Sequence, residues 1–322
     1  MNELTICMLK GCRKIYNRFN GRQRKQPLGQ EYNPDKAAEI IYNHLSGVKP
    51  CMIARFGSTE LMTIVNYLGV KNHRRSILGY IKGTAPAWWW EKSALEQMQR
   101  WSGFFPPTEK NIEQFCQLMI EDTKQVDVLG SWLSDEQYLN QELSQAESIC
   151  FTFLDPFWSH SPWTQALKDK KILVVHPFAE TIRQQYKKRE LLFKNPNILP
   201  PFELYTLKAV QSLGGESNGF KDWFEALYYM KAEMDKIDYD ICLLGCGAYG
   251  FPLAAHAKRQ GKKAVHIGGK LQLLFGIKGQ RWENPNYSNT YDFTQFMNEY
   301  WVRPSPEEKP QSADKVENAC YW

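Results

Sequence analysis

The chain has 322 residues, 43% hydrophobic and 23% charged, a composition that buries a core easily and argues against long-range disorder. The net charge of +5 is local, because residues 1–30 carry Lys10, Arg13, Lys14, Arg18, Arg22, Arg24 and Lys25 against Glu3 alone. The rest of the chain is near neutral. So short and separate a basic arm argues against nucleic-acid binding, and no stretch approaches the roughly 18 apolar residues of a membrane-spanning helix.

Two readings of the arm stand: a solvated terminus, or peripheral contact of residues 10–25 with an anionic membrane surface. Met1–Met8 carries its positive charge after its apolar patch, which does not read as a secretory signal. The eight cysteines form no Cys-x-x-Cys pair, so reduced thiols and a cytoplasmic location are expected. Residues 31–303 read as one α/β domain, with a division into two lobes near 165 as the alternative. Residues 304–322 read as an extended tail, whose end at Tyr321-Trp322 is expected to dock back onto the body.

Asn33-Pro34 predicts a helix start, with Ala37, Ile40, Ile41 and Leu45 on one face and Gly47 at its end. Cys51–Phe56 predicts a buried strand stopped at Gly57, with Ser58 capping a helix striped by Leu61, Ile64, Val65 and Leu68. From about 85 to 125 the pattern is helical, and Trp88-Trp89-Trp90 reads as a helix face. Short strands are predicted at Val126–Gly130 and Ile149–Leu154. Lys171–Phe178 is a strong buried strand, followed by a charged helix from Ala179 to Leu192. Phe202–Leu207 is another strand, and Lys221–Lys236 an amphipathic helix. The run Tyr239–Leu244 leads into Gly245-Cys246-Gly247-Ala248-Tyr249-Gly250, a helix to about Gln260, and the strand Lys263–Ile267. Strands alternating with helices predict a Rossmann-like α/β fold, a mostly parallel sheet with helices on both faces.

The strand–glycine loop–helix unit is the most specific local signal. Glycines there let backbone approach a ligand, and the helix N-terminus favours negative charge. A dinucleotide site carries an acid at the end of the next strand for the ribose hydroxyls. Here that strand ends Val265-His266-Ile267-Gly268-Gly269-Lys270, without a carboxylate. NAD is disfavoured, NADP with Lys270 on its phosphate stays open, and a nucleoside diphosphate near Gly247–Gly250 and Gly268-Gly269 fits better.

The second constellation is Arg55-Phe56-Gly57-Ser58-Thr59-Glu60. Arg55 at a strand's carboxyl end can clamp a diphosphate. Glu60 is either a base or metal ligand, or an acid favoured by the helix dipole. His176 and Glu180 follow another strand end and are candidates for the crevice, against a packed histidine and an exposed acid. Asp155 also leaves a strand end, and Trp158 and Trp163 are either acceptor-stacking or core residues.

The Arg-Phe-Gly-x-x-Glu turn, the late glycine loop, the His266–Gly269 strand end and the segment Gly276–Trp282 together resemble the bacterial GT-D fold glycosyltransferases. The likeness is specific in residues 51–61 and 239–281. It implies transfer of a sugar from a nucleotide-sugar donor, UDP-linked by family habit, to a glycan or lipid-linked glycan in surface polysaccharide or glycoconjugate assembly. Carried over, Arg55, Gly57 and Glu60 match the family turn Arg-x-Gly-Asp-Gly-Glu. Glu60, Arg55 and Glu180 become the catalytic candidates. Gly57, Ser58, Gly245, Gly247, Ala248, Tyr249, Gly250, His266, Gly268, Gly269 and Lys270 become the donor-binding candidates. The resemblance implies a manganese or magnesium ion, but Ser58 replaces the family's Asp and leaves Glu60 as the carboxylate ligand. The rival readings are an NADP-linked oxidoreductase and a non-catalytic nucleotide-sugar-binding protein.

Overall fold

A computed structural model of the chain describes residues 2–20, 29–285 and 291–309. Seven strands, β1 (Cys51–Ala54), β2 (Val128–Ser131), β3 (Glu147–Cys150), β4 (Lys171–His176), β5 (Glu203–Lys208), β6 (Ile241–Leu244) and β7 (Lys263–His266), form one sheet. Its order is β3-β2-β1-β7-β6-β4-β5 and its pairings are parallel. Because β1 pairs with β7, the sheet runs unbroken across the point near 165 where two lobes were an alternative.

The helices are α1 (Glu3–Asn20), α2 (Pro34–Ser46), α3 (Ser58–Lys71), α4 (Ile77–Lys82), α5 (Lys92–Arg100) and α6 (Glu109–Thr123). After β4 come α7 (Ala179–Tyr186), α8 (Arg189–Leu192), α9 (Trp223–Met234), α10 (Gly250–Arg259), α11 (Leu271–Leu274) and α12 (Gln280–Glu283). Side chains alternate across the strands, so each strand feeds two cores. Leu173, Val175, Cys242 and Leu244 pack with Leu61, Phe115, Leu227 and Leu253 on one face. Ile172, Val174, Ile241 and Leu243 pack with Ile41, Ile182 and Trp282 on the other. Strand residues 172–175 are fully buried, each worth roughly 1.5–3 kcal/mol relative to exposure.

Local chemistry sets the helix starts. The Asn33 side chain accepts from the backbone N–H groups of Asp35 and Lys36, with Pro34 opening α2 as expected. At α3 the cap is Gly57, not Ser58, and no side chain caps the helix. The N-terminus of α10, at Tyr249, is likewise without a side-chain cap.

Four expectations change. The helical stretch from 85 to 125 is two helices, separated around Gly103 (φ 67°) and Pro106-Pro107. Trp88–Trp90 lie ahead of α5 outside any helix, with Trp89 buried edge-on to Tyr80 at 4.8 Å. The strand from Ile149 stops at Cys150, since Phe153 and Leu154 join Ile149 in the same core, which alternating strand side chains cannot do. The charged helix from Ala179 breaks after Tyr186 and resumes at Arg189.

The described parts of both terminal segments pack against the body. Within the basic arm, Glu3–Asn20 form α1, which buries Leu9 against Tyr80 and Trp89 and places Arg13 over the Tyr80 ring at 4.8 Å. At the other end Glu308 is buried and accepts from the backbone N–H of Glu180 (2.8 Å) and Thr181 (3.2 Å), capping α7. The expected docking of Tyr321-Trp322 lies outside the described residues.

Candidate functional site

In open parallel sheets, ligands bind beyond the carboxyl ends of the strands where neighbouring connections diverge. Here β1 leads outward to β2, whereas β4 leads to β5 on the opposite flank, and the turns after β1, β6 and β7 surround a crevice. It is a cleft of about 420 Å³ lined by Arg55, Glu60, Trp132, Gly247, His266 and Lys270 among others. A smaller cavity of about 120 Å³ adjoins it, sharing Arg55 and Gly247 and reaching His176, Ser212 and Tyr249. Volumes of a few hundred Å³ suit small-molecule ligands.

The β1 rim carries charge without partners. Arg55 donates through Nη1 to the Phe56 carbonyl (3.1 Å), while its buried Nε has no acceptor. No carboxylate lies within ion-pair distance of its guanidinium among the described residues. Gly268 (φ 80°) makes room for it, because a Cβ there would collide with the guanidinium. Gly57 does the same for Glu60, whose carboxylate folds back over the uncapped end of α3. The dipole favours an acid there, but Glu60 also lines the cleft, so both of its readings fit the geometry. Ser58 is exposed on the same turn and lines the cleft with it.

The β6 and β7 rim is largely occupied by protein contacts, although His266 Nδ1 is buried there without a hydrogen-bond partner. A Cβ on Gly245 would meet His176 at 2.5 Å, and one on Gly250 would strike the His266 ring. Gly247 differs: its φ is 59° and open space lies where its Cβ would be. Burial alone lowers the His176 pKa to about 3. Burial, then the nearby Arg55 charge, does the same to His266. Both imidazoles are therefore neutral near pH 7. His176 Nδ1 accepts from the Phe178 N–H (3.0 Å), which puts the ring proton on Nε2. Tyr249 is buried, stacked on Trp223 at 4.8 Å, with its hydroxyl 2.8 Å from that of Ser212. Ala248 and Gly269 line the cleft.

Lys270 also lines the cleft, but its ammonium is committed. It donates to Asp155 at 2.7 Å, with side-chain exposures of 13% and 2%, and lies 4.3 Å from the Phe151 ring centroid. Burial raises the Asp155 pKa and the Lys270 charge pulls it back. The ammonium expected on a phosphate is paired here with Asp155, and the pair ties the segment after β3 to the turn after β7.

An aromatic wall, unanticipated from sequence, completes the cleft. Trp132 stacks on Phe151 at 5.2 Å and donates its indole N–H to the Phe56 carbonyl (2.9 Å). The buried Glu136 carboxylate fixes the turn by accepting from the N–H groups of Trp132 and Leu133, each at 3.1 Å. Trp101 borders the same space. Trp132 directly follows β2, so the strand-end rule applied to every strand would have found it. Three other candidates lie elsewhere. Glu180 is exposed on α7, paired with Arg183, and lines neither cavity. Trp158 packs on Tyr291 and Phe293, and Trp163 is fully buried with its N–H on the Leu154 carbonyl.

Among the described residues no cluster of three or more His, Cys, Asp or Glu side chains could hold a metal ion. A magnesium or manganese ion in the cleft would find Glu60 as its carboxylate and would take further oxygens from a diphosphate and water. No family model matches the chain, and neither a curated protein nor a solved structure does.

Proposed function

We propose that the protein is a glycosyltransferase that moves a sugar from a nucleotide-sugar donor, UDP-linked, to a hydroxyl of a glycan or lipid-linked glycan. The observation that carries this reading is a convergence on one cleft. Arg55 with a buried, unpartnered Nε, two helix N-termini without side-chain caps, and an aromatic wall all meet there. The first two are donors for a diphosphate, and the third is a stacking surface for a base or sugar ring. The GT-D resemblance of the same Arg55–Glu60 turn supports it.

In this reading the diphosphate lies between Arg55 and Gly247, where backbone can approach most closely. Glu60 takes the proton of the acceptor hydroxyl as its oxygen bonds to the anomeric carbon. The bond from that carbon to the phosphate oxygen breaks, and its electron pair leaves with the nucleoside diphosphate, stabilised by Arg55. Were Glu60 to hold a divalent ion instead of acting as the base, that ion would supply charge neutralisation at the leaving group.

Calorimetry with UDP and GDP tests the assignment. Arg55→Ala should weaken binding by about a hundredfold, the scale of losing a desolvated charge-assisted contact. Equal affinity in the variant would remove Arg55 from the site, and saturable NADPH binding in place of nucleoside diphosphates would favour the oxidoreductase. Donor binding by the wild type without sugar transfer or donor hydrolysis, with or without manganese, would favour the binding-protein alternative.

A further inference from the structure

The surface of α1 carries a second, independent feature. Ile6 and Leu9 turn toward α4, so one face of the helix is used in packing. Leu4, Met8, Ile15 and Phe19 point away, with 82%, 64%, 59% and 80% of their surfaces exposed. At 3.6 residues per turn these four fall within an arc of roughly 60°, a continuous apolar stripe facing solvent. On the neighbouring α4, Ile77 (56% exposed) and Leu78 (68%) add to the apolar surface of this helix pair.

The charges around the stripe are basic. Lys14 and Arg18 lie along one side of it on α1, and Arg74 and Arg75 are exposed just ahead of α4. None of the four makes an ion pair among the described residues. The acids of the region are already used, Glu3 by Lys92 and Glu91 by Lys10. Single exposed apolar residues need no explanation, but a stripe of four on one helix, whose unpaired neighbouring charges are basic, does. Such a helix suits a surface that is apolar beneath and anionic at its rim. A second copy of the chain would bring its own arginines and lysines to the same border, so charge favours lipid over self-association.

We propose that α1, with the start of α4, is an interfacial helix that seats the protein on an anionic lipid surface, Leu4, Met8, Ile15 and Phe19 entering the headgroup–acyl boundary. This does not depend on the glycosyltransferase reading. No described helix is long and apolar enough to cross a membrane, so the contact is in the plane of the surface.

Flotation of the full chain with vesicles tests it. Binding is expected to vesicles mixing phosphatidylglycerol with phosphatidylcholine, and to weaken with salt. Ile15→Ala/Phe19→Ala introduces a better helix former at two mostly exposed positions, so it should fold as the wild type does. It should lower the partition coefficient by about a hundredfold, since each buried apolar side chain is worth roughly a factor of ten. Lys14→Ala/Arg18→Ala should weaken binding to anionic vesicles by about tenfold or more. A wild-type chain that stays unbound with anionic vesicles would overturn the proposal, as would undiminished binding by the stripe variant. A lipid-free dimer that the stripe variant abolishes would also overturn it, by assigning the surface to a second copy.

Discussion

The two rims of the cleft are built on opposite principles. At the β1 rim, Arg55 has an orphaned Nε and Glu60 has no cationic partner among the described residues. At the β6 and β7 rim, Lys270 is paired with Asp155, and His176 and His266 are held neutral. Two of the three loop glycines there make room for those histidines. The glycine pattern that first suggests a phosphate cradle is thus largely a packing device, open to a ligand at Gly247. The β1 rim holds uncommitted charge, and the other rim gives the cleft its shape. Substitutions can separate these roles.

The largest effect is expected at Lys270. If it is structural, Lys270→Ala leaves Asp155 buried without its partner and should destabilise the fold by about 3–5 kcal/mol in urea unfolding. Lys270→Met combined with Asp155→Asn should recover most of that loss and leave nucleoside-diphosphate affinity nearly intact. A stable Lys270→Ala protein that has lost its ligand would reverse the contrast, making this rim a second charged clamp.

A middle-sized effect concerns the histidines. Folded-state values near 3 lie below the ordinary 6.5, so as pH falls below about 6.5 the unfolded chain takes up protons that the native state refuses. Stability is lost as pH falls through that window, by about 2 kcal/mol per histidine at pH 5. His176→Gln stays neutral throughout and should lose about 2 kcal/mol less than the wild type between pH 7 and pH 5. Equal losses would mean that His176 is charged in the native state, giving this rim an ionised group after all.

Much of the contrast's frame was legible in the sequence. Each of the seven strands overlaps a stretch read as a strand, because a parallel sheet buried on both faces appears as apolar runs, although β2 and β5 run one residue past theirs and β3 shares two residues with its own. Arg55 and Glu60 reached the cleft through the strand-end rule. What the residues do there was less legible. Lys270 and Asp155 are 115 positions apart, and nothing local announces their pairing. Glu180 was misplaced although its helix period was readable. With Ile182 and Gln185 buried on α7, a residue at 180 points outward, as Arg183 does. The aromatic wall comes from separate segments with no shared motif, and only the folded sheet brings Trp101, Trp132 and Phe151 together.

Gly247 gives the smallest but most discriminating test. A Cβ there meets open space, so Gly247→Ala costs stability only through its left-handed backbone, about 1–2 kcal/mol. If the loop serves shape alone, affinity for nucleoside diphosphates should survive once measured on the folded fraction. If a diphosphate lies against the Gly247 backbone, the added methyl stands where its oxygens must approach. Affinity would then fall beyond what the lost stability explains, by roughly tenfold for a contact weakened by about 1.4 kcal/mol. Calorimetry well below the melting temperature separates the two. The second outcome would leave Gly247 as the point where the shaped rim also touches the ligand, while unchanged affinity would confine ligand recognition to the β1 rim and the aromatic wall.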